Sequence, residues 1–184
     1  MKAIGEASSE LEQRAEDAIA SIEAWRGRDV QYAPAAPSVV SPIHRAVESA
    51  CFAVTAGEDA IFLKLRYPDM TGFFDDEAVA ESCRLAAEAG VSPAVRHSDP
   101  ARGVLALERL GEDWTWGKVD DFADPALLEA VVKAKQALHR GPAFPRTDSV
   151  FEAIERYWQT IVEERVTVPA DVPELLVRDR KSVV

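Results

Sequence analysis

From Ala60 to Leu107 the chain reads strand, helix, strand, strand, and the boundaries of that order are sharply marked. In Ala60-Ile61-Phe62-Leu63-Lys64-Leu65-Arg66, apolar Ile61, Leu63 and Leu65 alternate with Phe62, Lys64 and Arg66, the period of a strand with one buried face. A turn-rich stretch from Tyr67 to Gly72 separates it from a helix opening at Asp75-Asp76-Glu77 and running to Ala89. Carboxylates crowd its first turn, where the helix dipole favours them, and Gly90 stops it. Ser92-Pro93 leads into Ala94-Val95-Arg96-His97, the turn Asp99-Pro100-Ala101-Arg102-Gly103, and a further strand, Val104-Leu105-Ala106-Leu107. By itself Lys64 reads as a surface lysine on a half-exposed strand.

The flanks extend this frame. Ser9 and Glu12 make a capping box, and Leu11, Ala15, Ala18, Ile19, Ile22 and Trp25 recur at helical spacing up to Gly27, which predicts an amphipathic N-terminal helix within 1–29. Val30-Gln31-Tyr32 reads as a first strand, Ala33 to Ser38 as loop, and Cys51-Phe52-Ala53-Val54 as the strand before the Ala56-Gly57-Glu58-Asp59 turn. Beyond residue 110, Asp124-Pro125 starts a helix carrying Leu127, Leu128, Val131, Val132 and Leu138 to His139. Asp148-Ser149 caps another, with Phe151, Ile154, Trp158 and Ile161 on one face, and a third begins near Pro169.

Composition narrows the function classes. A chain of 184 residues with net charge −11 lacks the Lys and Arg stripes that nucleic acid demands. An anionic nucleotide would need a locally positive pocket. No apolar run approaches membrane-spanning length, and Met1-Lys2-Ala3-Ile4-Gly5-Glu6 precedes no apolar core, so neither membrane insertion nor secretion is expected, and the compartment expected is the cytoplasm. Cys51 and Cys83 have no metal-type spacing and read as buried free thiols. His44, His97 and His139 form no helix-face pair for zinc, and no Gly-x-Ser-x-Gly elbow exists.

The strand with an inward Lys64, the helix end Ala86-Ala87-Glu88-Ala89-Gly90-Val91-Ser92-Pro93 and the hairpin turn Asp99 to Gly103 together resemble the choline kinase-like and aminoglycoside phosphotransferase-like small-molecule kinases. The resemblance runs from about Ile19 to about Leu176 and implies an α+β fold: a protein-kinase-like small lobe over 30–110, an antiparallel sheet with one packed helix, then an incomplete helical lobe over 111–178. It implies ATP and Mg²⁺ as cofactors and a small hydroxyl acceptor such as choline, ethanolamine or an aminoglycoside. Lys64 would neutralise the α- and β-phosphates, held by a helix glutamate, with Glu77 and Glu81 as candidates although the family spacing falls on Val79. Ser49 would donate to a phosphate, and backbone groups of Ala106, Leu107, Glu108 and Arg109 would bond adenine. The family's glycine turn is replaced by glycine-free Ile43 to Ala50, in which Glu48 would repel phosphate. Trp114 and Trp116 either pack the lobe or stack on a ring or quaternary ammonium.

Catalysis in such kinases comes from a His-x-Asp loop and an Asn separated from its Asp by four residues. Here His97-Ser98-Asp99 sits in the hairpin, Val104 stands where the Asn is needed, and the sequence contains no asparagine at all. No catalytic and no metal-binding residue is therefore expected in the chain. Asp179-Arg180-Lys181-Ser182-Val183-Val184 matches one frame of a widely used sequencing adapter, GATCGGAAGAGCGTCGTG, so 179–184 is expected to be an adapter-derived tail on a frame cut within the large lobe. The expectation is a truncated, inactive phosphotransferase that binds nucleotide weakly or not at all and self-associates through its incomplete lobe. The alternative is a non-catalytic kinase-like interaction module.

Overall fold

A computed structural model describes residues 1–35, 48–115, 117–145 and 149–175. The loop residues Ile43 to Val47, Trp116, Asp148 and the tail Asp179 to Val184 lie outside the described residues. Contacts divide the chain into two compact units, Met1–Pro145 and Arg146–Val184.

The first unit is built on an antiparallel sheet whose six strands are β1 (Lys2–Ala3), β2 (Gln31–Pro34), β3 (Ser49–Ala56), β4 (Asp59–Arg66), β5 (Val95–Asp99) and β6 (Val104–Glu108), in the order β1-β2-β3-β4-β6-β5. Register decides which side chains share a face. Phe52 opposes Leu63, Val54 opposes Ile61, and across the next ladder Leu63 opposes Ala106 and Leu65 opposes Val104. These side chains form one apolar face, all of them buried.

Helix α1 (Glu10–Ser21) covers that face with Ala15, Ala18 and Ile19, joined by Ile22 and Trp25. Each fully buried Leu, Ile or Val contributes about 1.5–3 kcal/mol by leaving water. The helix predicted to reach Gly27 stops at Ser21, because Ile22 turns extended and a short 3₁₀ turn, Glu23–Trp25, folds the indole back into the core. Strand β1 was not expected, since two residues are too few for alternation to register. It is tied down by Glu16, which accepts from the Gly5 N–H at 2.9 Å and from the Tyr32 hydroxyl at 2.7 Å. Tyr32 is fully buried, and loss of water together with the Glu16 carboxylate pushes its ionisation far up.

Helix α2 (Asp76–Glu88) begins one residue later than the sequence predicts, because Asp75 is its cap: the Asp75 carboxylate accepts from the Ala78 N–H at 3.0 Å, and Gly90 ends the segment, as expected, with φ of 74°. Arg66, expected on the exposed alternation of its strand, is 8% exposed instead. It folds against Asp76, with Nη2 2.6 Å and Nε 2.7 Å from Oδ1, while its guanidinium lies 4.0 Å over the Phe74 ring. The β5–β6 hairpin closes through Asp99, which accepts from the Arg102 N–H, and Gly103 with φ of 64°.

Helix α3 (Pro125–Arg140) starts from Asp124 with Pro125 at its first position, as expected, and leaves Leu127, Leu128, Val131 and Val132 exposed. In the second unit, α4 (Val150–Glu163) opens with a reciprocal box between Ser149 and Glu152, and residues 172–175 form a further helical turn. Among the described residues no helix is long and apolar enough to cross a membrane.

Candidate functional site

The alternation that sends Leu63 and Leu65 into the core sends Phe62 and Lys64 to the opposite face. There Lys64 opposes Cys51 on one side and Leu105 on the other, and Phe62 opposes Ala53 and Leu107. This second face forms the wall of a cleft of about 700 Å³, bordered further by Pro93, Leu110 and Trp114. Its size is that of sites for drug-sized or cofactor-sized ligands, and its walls are mostly apolar, with Lys64, Glu108 and Arg109 among them. Trp114 is 64% exposed and edges this cleft, so its indole is available to a ligand rather than packed away.

The sequence-predicted residues fall into three groups. Lys64 borders the cleft, as do Leu107, Glu108 and Arg109. Ala106 does not: its side chain is on the core face and fully buried. The Glu108 N–H already donates to Ala94 O at 2.8 Å and the Arg109 N–H to Ala60 O at 3.3 Å, because β6 is an interior strand with a neighbour on each side. Ser49 is buried at the start of β3 and lies near Lys64 beside α2, outside the large cleft.

Glu77 and Glu81 are not brought to Lys64. Glu77 is exposed, and Glu81 is engaged with Arg84, 2.5 Å from Nη2, which holds its carboxyl below the usual range. No carboxylate among the described residues forms an ion pair with Lys64; the α2 side chains that border its small neighbouring chamber are Asp76, already paired with Arg66, and the apolar Val79 and Ala80. Val79, on which the family spacing falls, is thus an apolar border of that chamber.

Cys51 and Cys83 are free but only half buried, which corrects the expectation of core thiols. Both are near the Lys64 ammonium. Burial pushes each thiol up, and Lys64 works against that shift. His97 of the His-Ser-Asp triplet is tied to α1, its Nε2 3.1 Å from Ser21 Oγ, and Asp99 caps the hairpin turn. Ser21 already donates to the Ala18 carbonyl, so His97 is the donor in that bond.

Sequence reading missed Phe62, Arg66 and Asp76. Phe62 and Arg66 were visible as strand-mates of Lys64 at two-residue spacing, which puts all three on one face. Asp76 was hidden by its neighbour: two adjacent acids at a helix start both read as dipole partners, whereas Asp75 caps and Asp76 pairs. Among the described residues no three His, Cys, Asp or Glu side chains gather as a metal site; the Mg²⁺ implied by the resemblance is of the kind held by one or two carboxylates together with a nucleotide's phosphates.

No family model matches the chain, and no curated protein matches it. Among solved structures it is similar to a choline/ethanolamine kinase family protein from Mesorhizobium loti, at 24% sequence identity and a TM-score of 0.61 over 93% of this chain and 52% of that one. The chain therefore shares its fold with part of that protein and spans about half that protein's length.

Proposed function

We propose that this chain is the nucleotide-binding portion of a small-molecule phosphotransferase, one that in whole form moves the γ-phosphate of ATP to a hydroxyl of an acceptor such as choline, ethanolamine or an aminoglycoside. The observation that carries this reading is Lys64: a cation without an ion-pair partner among the described residues, on the wall of an apolar cleft large enough for a nucleotide. Phe62, Ala53 and Leu107 supply an apolar ceiling for a purine. Backbone recognition of the base falls to Leu110 and Gly111, which border the cleft, since the Glu108 and Arg109 N–H groups are occupied.

Lys64 would meet the phosphates as a point charge. The rest of the chain limits the chemistry beyond binding. The sequence holds no asparagine and, among its described residues, no acidic cluster for a metal. Transfer depends mostly on positioning and charge stabilisation, so the chain by itself binds nucleotide weakly and transfers no phosphate.

Titration with ATP, followed by displacement of a fluorescent nucleotide, tests this directly. We expect millimolar affinity that falls at least several-fold in Lys64→Ala. No binding at millimolar ATP overturns the reading. It would favour a non-catalytic interaction module, to which Val79 in place of a helix glutamate already points.

A further inference from the structure

Between β4 and α2 lies a second, smaller space of about 20 Å³, lined by Ser49, Lys64, Arg66, Asp76 and Val79 among others. It has room for one occupant of about the size of a water molecule. Its polar groups do not balance. Arg66, 8% exposed, spends Nε and Nη2 on Asp76 Oδ1, and its Nη1 is buried with no hydrogen-bond partner. Lys64 brings donors and no acceptor, and the Ser49 hydroxyl, in a residue 5% exposed, can donate as well as accept. With Lys64 and Arg66 positive and Asp76 negative, these groups carry one uncompensated positive charge.

We propose that this chamber binds a single monatomic anion, chloride under ordinary conditions, held by Arg66 Nη1, Lys64 Nζ and the Ser49 hydroxyl in place of a helix carboxylate. An anion accepts from every donor and cancels the charge. A water leaves the charge standing, and a whole phosphate group is too large for the space. Arg66 and Ser49 lie outside the large cleft, while Lys64 borders both spaces, so a nucleotide there would draw on one of the three donors.

Thermal unfolding of the full chain in sodium chloride or bromide, against sodium gluconate at equal ionic strength, gives the first test. A saturable rise of a few degrees specific to halide is expected. It should vanish in Lys64→Met, and also in Val79→Glu, which brings a carboxylate to the chamber. Crystals grown in bromide should show its anomalous signal between Arg66 and Lys64. Equal stability in halide and gluconate overturns the proposal, as does a rise that persists in Lys64→Met or a bromide-free chamber occupied by water.

Discussion

Gly103 shows how much one residue can carry. Its φ of 64° is left-handed, and a Cβ there would stand 2.7 Å from the Arg66 Cβ, closer than two carbons tolerate. Gly103→Ala should therefore lower stability by about 1–3 kcal/mol, read as an earlier urea midpoint. Gly90 has a similar φ of 74° but open space around it, so Gly90→Ala should cost less. Equal losses at the two positions would mean that the contact with Arg66 is of no account. The need for glycine at the hairpin turn was legible from Asp99-Pro100-Ala101-Arg102-Gly103, because turn chemistry is local. That Gly103 presses on Arg66 was not, since the two are brought together by strand pairing alone.

At the scale of elements, the tie between β4 and α2 is an ion pair removed from water. Breaking one partner of such a pair leaves the other charge stranded, whereas replacing both with apolar groups of similar size is close to neutral. Asp76→Ala should cost about 3–5 kcal/mol, and the double change Arg66→Met with Asp76→Leu should recover most of it. Chemical denaturation of the three proteins decides this, and a double variant as weak as the single one would refute it. The joint between β1 and α1 is instead pH-sensitive. Glu12 accepts from the Lys2 ammonium and the Ser8 N–H, bonds that hold its carboxyl at about 2 rather than the ordinary 4.5. Its folded value is lowered, so the stabilisation is full above pH 4.5 and fades as pH falls toward about 2. Melting temperatures followed from pH 5 downward should fall less steeply in Glu12→Gln than in the parent. The helices were readable in the sequence because their caps are local: Ser9, Asp124 and Ser149 all cap helices where the sequence predicts, and Asp75, read as the first helical residue, caps the helix that starts one residue later. The Lys64 environment was not, since it depends on which α2 side chains face the strand, and rotation of a helix is set by tertiary packing.

For the whole molecule, the buried core runs from Ala15 to Ala106, and the cleft from residues near Met1 to Thr115, all within the unit Met1–Pro145. The fragment 1–145 should therefore fold by itself, melt within about 5 °C of the full chain, and keep whatever nucleotide affinity the full chain has. A fragment that is unfolded by circular dichroism would show that residues beyond 145 are needed for the core. The kinase-like order of strands and helix was readable at this scale because it rests on alternation and punctuation. The sheet order was not, for nothing local says that β6 lies between β4 and β5.

The division of the sheet into a core face and a cleft face has a consequence for how such a protein changes over generations. Along β4 the residues Ile61, Leu63 and Leu65 answer to folding, and Phe62 and Lys64 answer to the cleft. Neighbouring codons are thus under different masters. A lineage can rewrite what the cleft accepts at every second position while the positions between are held fixed, and new specificity need not wait for new stability.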